Sequence, residues 1–226
     1  MIEKNIIVAL DDPLDYQDVL KVLDPKKCIL KVGSIIFNYH GRKILDEVAN
    51  YGFEIFFDIK FHDIPNTVSK SIESFKDYPI KLLTIHLSGG CSMIKSALDS
   101  SKNINAKCIG VSILTSLNEE ESREIYNQEI VKTVSSMFDL AKKTDIDGVV
   151  CSPHELKLAR DQLKNKIKIT PGIRLSDTSS DDQSRVMSPK EAINLGATYL
   201  VIGRPITSHA DKASAFEKIY QSIYEE

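Results

Sequence analysis

At 226 residues the chain can bury the core of one large α/β domain or two small ones. Hydrophobic residues at 42% and charged residues at 27% exclude a disordered chain, and a formal net charge of -3 gives no electrostatic basis for partnering nucleic acid or an acidic membrane surface. No apolar run approaches the roughly 20 residues of a membrane span, Met1-Ile2-Glu3-Lys4 lacks a signal-peptide profile, and the scattered cysteines form no Cys-x-x-Cys pair, so a cytoplasmic protein is expected.

Residues 5–10 predict a buried strand ending in Asp11-Asp12-Pro13, and a helix follows from about Asp15 with Tyr16, Val19, Leu20 and Leu23 on its apolar side. Residues 28–32 read as a second strand running into Gly33. One helix is expected next, carrying Ile36, Phe37, His40, Ile44, Leu45 and Val48 and stopped by Gly52. Residues 54–59 are apolar and aromatic enough for a strand buried on both faces, as in parallel sheet. Asp58 and Lys60 fall two apart at its end, so strand alternation puts carboxylate and ammonium on one face. Pro65 then stops the ladder, and Ile64, Val68, Ile72 and Phe75 recur at helical spacing, with Asp63 or Asn66 as the expected N-cap.

Further strands are predicted over residues 82–87, 106–114, 148–151, 167–170 and 199–202. Helices are expected after Gly89-Gly90, over 119–126 and 130–142, from Pro153, over 188–195 and from about Asp211. Residues 175–185 are polar and aperiodic and read as a long surface loop. Eight strands alternating with helices, without a linker-like break, argue for a single-domain α/β protein, a (β/α)8 TIM barrel spanning residues 1–226. An open doubly wound sheet is the alternative, and it lacks the Gly-x-Gly-x-x-Gly turn expected after its first strand.

Active sites of such barrels lie at the C-terminal ends of the strands. Those ends carry Asp11, Lys31, then Asp58, Lys60 and Asp63, then His86, Thr115, Pro171-Gly172-Ile173-Arg174 and Gly203-Arg204. The two Gly/Arg pairs follow the seventh and eighth strands, where backbone N–H groups and a guanidinium commonly hold phosphate, so a phosphorylated small molecule is the expected substrate. Lys31, Asp58, Lys60 and Asp63 interleave cations with anions. A fixed cation beside a fixed anion suits a reaction in which negative charge leaves one substrate atom and builds on another, as in decarboxylation. The five histidines show no metal-ligand spacing, and there is no nucleophile elbow or P-loop. His62 reads as support for its loop; His86 is open between support and substrate contact.

Asp58-Ile-Lys-Phe-His-Asp-Ile-Pro-Asn-Thr67 resembles the Asp-x-Lys-x-x-Asp signature of the orotidine 5'-phosphate decarboxylase family, in the extended form of its bacterial branch. The likeness runs through essentially the whole chain, by way of Ala9-Leu-Asp11, Leu30-Lys-Val-Gly33, His86 with Gly89-Gly90, Leu114-Thr-Ser116, Val149-Val-Cys-Ser152, Thr170-Pro-Gly-Ile-Arg174, Gln183 and Ile202-Gly-Arg-Pro205. It implies conversion of orotidine 5'-phosphate to UMP, the last step of pyrimidine nucleotide synthesis, with no metal or organic cofactor. By the same resemblance Lys60 protonates C6 of the pyrimidine and Asp58 faces the departing carboxylate. Lys31 holds the catalytic charged array together and, with Asp11, binds the ribose hydroxyls, and Thr115 lies by the pyrimidine. Arg174, Gln183, Gly203 and Arg204 grip the phosphate, with Gln183 bridging toward the base, and Pro171 is a further substrate-binding residue. Asp63, Ile64 and Thr67 reach the substrate of a second subunit across a homodimer. Related barrels with this motif use Mg²⁺ on an acidic ligand after the second strand, where this chain carries Lys31. A Schiff-base aldolase using Lys60 as nucleophile is disfavoured by the flanking carboxylates.

Overall fold

The computed structural model describes residues 4–174 and 187–224. Among these, eight strands form the sheet: β1 (Ile6–Leu10), β2 (Cys28–Gly33), β3 (Ile55–Phe61), β4 (Ile80–His86), β5 (Lys107–Val111), β6 (Gly148–Val150), β7 (Ile167–Thr170) and β8 (Tyr199–Ile202). Each pairs in parallel with its sequence neighbour, and β1 closes on β8 to complete the barrel. The helices are α1 (Gln17–Val22), α2 (Ser34–His40), α3 (Lys43–Asn50), α4 (Pro65–Glu73), α5 (Gly90–Asn103) and α6 (Glu119–Tyr126). They continue with α7 (Ile130–Thr144), α8 (Leu156–Gln162), α9 (Pro189–Asn194), α10 (Arg204–Thr207) and α11 (Lys212–Tyr224). The expected (β/α)8 barrel is therefore what the chain forms, and the open sheet is ruled out by closure.

Both faces of the strands are buried, so period-two alternation sorts one strand into two cores. Ile7, Ala9, Ile29, Phe56, Leu82, Ile109, Ile169 and Val201 fill the barrel interior. Val8, Leu30, Ile55, Phe57, Leu83 and Cys108 point outward into the larger core beneath the helices. Continuing the inward set toward the C-terminal ends reaches Asp11, Lys31, Asp58, Thr84, Pro171 and Gly203. One parity thus carries apolar filling below and polar groups at the mouth.

Several predicted boundaries moved, each for a local reason. The single helix expected after β2 is two, because Gly41 takes φ 61° between α2 and α3 and donates its N–H to Phe37 O at 2.7 Å. β5 stops at Val111 and not at residue 114, since its neighbour β6 offers only three residues, ending opposite Val111 at Val150. The N-cap of α4 is Ile64, with Pro65 in the first turn; Asp63 instead accepts the N–H of Ile64 at 2.6 Å, and neither it nor Asn66 caps the helix. Cys28, Cys108 and Cys151 are free and buried, and burial pushes each thiol up to about 12. Cys91 is partly exposed. Among the described residues no helix is long and apolar enough to cross a membrane.

Candidate active site

A cavity of about 390 Å³ opens at the C-terminal mouth of the barrel. Phe56, Val111, Val150, Ile169 and Val201 make its apolar floor, and Asp11, Lys31, Asp58 and Lys60 line one wall. Thr115, Pro171, Gly172, Arg174, Gly203 and Arg204 line the other parts of the rim.

The charged wall is built from adjacent strands in register. Ala9 pairs with Lys31, Lys31 with Phe56, and Gly33 with Asp58. Lys31 runs up the inner face to donate to Asp11 Oδ1 at 2.8 Å, and its Nζ lies 3.8 Å from Asp58 Oδ2. Gly33 leaves the room for this, because a Cβ there would stand 2.9 Å from Lys31 Nζ. Lys60 Nζ donates to Asp58 Oδ1 at 2.9 Å. The four groups form a continuous series, Asp11–Lys31–Asp58–Lys60, alternating in sign. Lys31 and Asp58 are the sheltered pair, with side chains 12% and 14% exposed.

Asp58 and Lys60 do share a face, yet simple alternation is not the reason. Pairing of β3 with β4 jumps from Phe57↔Leu83 to Phe61↔Ile85, so residues 58–60 bulge opposite Thr84 alone. Lys60 sits at φ 53°, a left-handed conformation rare for a side chain of this length. Its N–H is taken by Thr84 Oγ1 at 3.0 Å, and the same hydroxyl donates to Asp58 Oδ1 at 3.0 Å.

Across the mouth, the loop after β7 turns at Gly172 with φ 77° and carries Arg174, whose N–H is held by Met187 O at 3.1 Å. After β8, Gly203 packs closely on β1: a Cβ there would lie 3.5 Å from Asp11 Oδ2 and 3.6 Å from Ala9 Cβ. Arg204 follows at the exposed start of α10. Two cationic residues with adjoining glycines thus face the charged series across one cavity. The model of the orotidine 5'-phosphate decarboxylase / HUMPS family matches residues 4–219.

The chain belongs to this family.

The orotidine 5'-phosphate decarboxylase of Laribacter hongkongensis is 41% identical over 219 residues, spanning 95% of this chain and 90% of its own. That of Coxiella burnetii is 40% identical over 229 residues, spanning 98% and 97%. The crystal structure of orotidine 5'-phosphate decarboxylase from Lactobacillus acidophilus matches with a TM-score of 0.84 at 33% identity, covering 97% of this chain and 99% of that one.

Of the residues that the family resemblance singled out, Asp11, Lys31, Asp58, Lys60, Thr115, Pro171, Arg174, Gly203 and Arg204 meet in this cavity. Asp63, Ile64 and Thr67 do not line it. They are exposed on the turn after β3 and the first turn of α4, Ile64 to 66%. Gln183 and the loop over 175–185 lie outside the described residues. His86 is half-buried at the end of β4, outside the cavity lining, with its ring centroid 5.2 Å from that of the exposed His62. Burial, and after it the neighbouring His62 and Lys60, hold the His86 imidazole below the usual histidine range. Sequence reasoning missed Thr84. Its one signal was a hydroxyl at an inward position, two residues after Leu82, between apolar Leu83 and Ile85.

Proposed function

We propose that the chain is an orotidine 5'-phosphate decarboxylase, a carboxy-lyase that converts orotidine 5'-phosphate to UMP and CO₂ in pyrimidine synthesis. The observation carrying this reading is the Asp11–Lys31–Asp58–Lys60 series facing Arg174 and Arg204 across one cavity whose floor is apolar. Arg174 and Arg204, with the backbone at Gly172 and Gly203 and with Gln183, hold the phosphate. Asp11 and Lys31 take the ribose hydroxyls, and Pro171 and Thr115 lie along the nucleoside. The substrate carboxylate then stands against Asp58. Its C6–carboxyl bond breaks with the electron pair left on C6, CO₂ departs, and the Lys60 ammonium gives its proton to C6.

Lys60 serves this step because a positive group is already fixed where negative charge develops, so no reorganisation is needed as the bond breaks. Asp58, held between two ammonium groups, keeps Lys60 in place and repels the carboxylate that must leave. The reaction needs no metal in this reading: the Lys31 ammonium, 2.8 Å from Asp11 and 3.8 Å from Asp58, already supplies the cation between those carboxylates. Binding energy from the remote phosphate is expressed in the transition state.

The active unit is a homodimer of single-domain subunits in the cytoplasm, with Asp63, Ile64 and Thr67 completing the partner's site. Their exposure beside the mouth supports this, as do the exposed apolar side chains of Ile35 and Tyr39 on α2. The direct test is to mix the purified protein with orotidine 5'-phosphate and follow pyrimidine absorbance and released CO₂. Turnover that persists in EDTA and falls to a feeble rate on orotidine without the phosphate is expected. No CO₂ from orotidine 5'-phosphate, or activity abolished by EDTA, would overturn the assignment.

A further inference from the structure

We infer that Thr84 is a positioning residue for this reaction: its hydroxyl replaces the ladder partner that the β3 bulge loses and, through one hydrogen-bonded chain, sets both the backbone of Lys60 and the carboxylate of Asp58. The inference rests on the decarboxylase reading of the site. Thr84 is fully buried, at 0% exposure, and does not line the cavity, so it meets no substrate.

The bulge creates a specific deficit. In a regular parallel pair each inward residue of β3 would have a β4 backbone partner, but Asp58, Ile59 and Lys60 stand opposite Thr84 alone. The Lys60 N–H is then without a ladder carbonyl, and burying an unpaired N–H is costly. Thr84 Oγ1 accepts it at 3.0 Å. A hydroxyl has one proton to give, and here it goes to Asp58 Oδ1 at 3.0 Å. The roles are therefore fixed in direction: N–H to hydroxyl, hydroxyl to carboxylate.

The consequence falls on the ammonium. Asp58 Oδ1 accepts from both Thr84 Oγ1 and Lys60 Nζ, the latter at 2.9 Å, so backbone, hydroxyl, carboxylate and ammonium close a ring. Lys60 occupies φ 53°, which other strand residues avoid and which persists only where its surroundings over-determine it. Thr84 supplies that constraint with a β-branched side chain that has few rotamers to sample. Loosening it lets the ammonium and carboxylate drift by fractions of an ångström relative to the reacting carbon, while the phosphate and ribose contacts on β1, β2, β7 and β8 stay as they are.

The test compares Thr84→Val, which keeps the shape and removes the hydroxyl, with Thr84→Ser, which keeps the hydroxyl and removes the methyl. Wild-type turnover of orotidine 5'-phosphate is measured first; if it is absent the decarboxylase reading itself falls. With wild type active, Thr84→Val is expected to lower kcat on the order of 10–100-fold, with KM and UMP affinity within about threefold of wild type. Thr84→Ser should retain kcat within about fivefold. Unchanged kcat in Thr84→Val overturns the inference alone, and so does an equal loss in both variants, which would make packing the cause. If Thr84→Val does not fold, Thr84→Ser is set against Thr84→Ala, and equal kcat in those two overturns it.

Discussion

Lys60→Ala is the perturbation that bears hardest on the proposed chemistry, and the structure makes it a clean subtraction. Lysine and alanine both carry a Cβ, so the left-handed backbone at φ 53° is equally strained in each and the N–H to Thr84 is kept. What disappears is one ammonium, 2.9 Å from Asp58 Oδ1. With C6 of the bound substrate taken at a comparable separation from the ammonium, and an effective dielectric near 20, that unit charge is worth about 6 kcal/mol to a full negative charge. The Lys60 side chain is 33% exposed, and solvent at the open mouth cuts this to about half. About 3 kcal/mol of lost carbanion stabilisation is roughly a hundredfold in rate, and removal of the proton donor adds about 10²–10⁴ more. A fall in kcat of at least about 10⁴-fold is therefore expected. UMP should still bind measurably by calorimetry, because the residues proposed to hold its phosphate and ribose stand on other strands. A variant with near-normal kcat would refute the proton-donor role. Loss of UMP binding together with activity would refute the claim that Lys60 acts mainly on the transition state.

Arg204→Ala should reduce kcat/KM on orotidine 5'-phosphate by on the order of 10²-fold or more while leaving the feeble reaction of unphosphorylated orotidine unchanged; an equal loss on both substrates would place Arg204 elsewhere in the mechanism. Mixing inactive Lys60→Ala and Asp63→Ala subunits should regenerate one intact site in each hybrid dimer, giving about a quarter of wild-type activity, whereas no recovery after subunit exchange argues against a shared site. Glu54 concerns stability and not turnover. Burial raises its carboxyl, but bonds from Lys4 at 2.7 Å and Lys81 at 2.9 Å outweigh that and hold it below the usual value of 4.5. Between the depressed folded value and 4.5 the unfolded chain binds more protons, so stability rises with pH there. The Glu54 contribution is present above pH 4.5 and lost as pH falls through the folded value. Melting temperatures of wild type and Glu54→Gln should differ most above that point and converge in acid; a gap independent of pH would remove the ion pairs as its cause.

The barrel was legible because its strands are short, apolar runs punctuated at regular intervals, and β7 and β8 begin and end where the pattern says. The charged series was legible because polar residues at the C-terminal ends of otherwise apolar strands have no place in either core. Boundaries moved where a neighbour decided them: β5 ends early because β6 is short, and α2 parts from α3 at Gly41. Asp63, Ile64 and Thr67 carry a resemblance to residues of a shared site, but no feature of their local sequence says that they stand outside the cavity of their own chain.

Asp58 and Lys60 show where the two levels divide. Their residue types and spacing determined that a carboxylate and an ammonium would arrive together at the mouth, since hydrophobic periodicity is a local property of the chain. Their contact, though, is made at a bulge opposite Thr84, whose hydroxyl, 24 residues further on, accepts the Lys60 N–H. Strand register and closure join groups distant in sequence, and the hydrogen-bonding needs of a buried backbone N–H are met by whichever neighbour the closed sheet brings opposite it. Only the tertiary structure could name that neighbour.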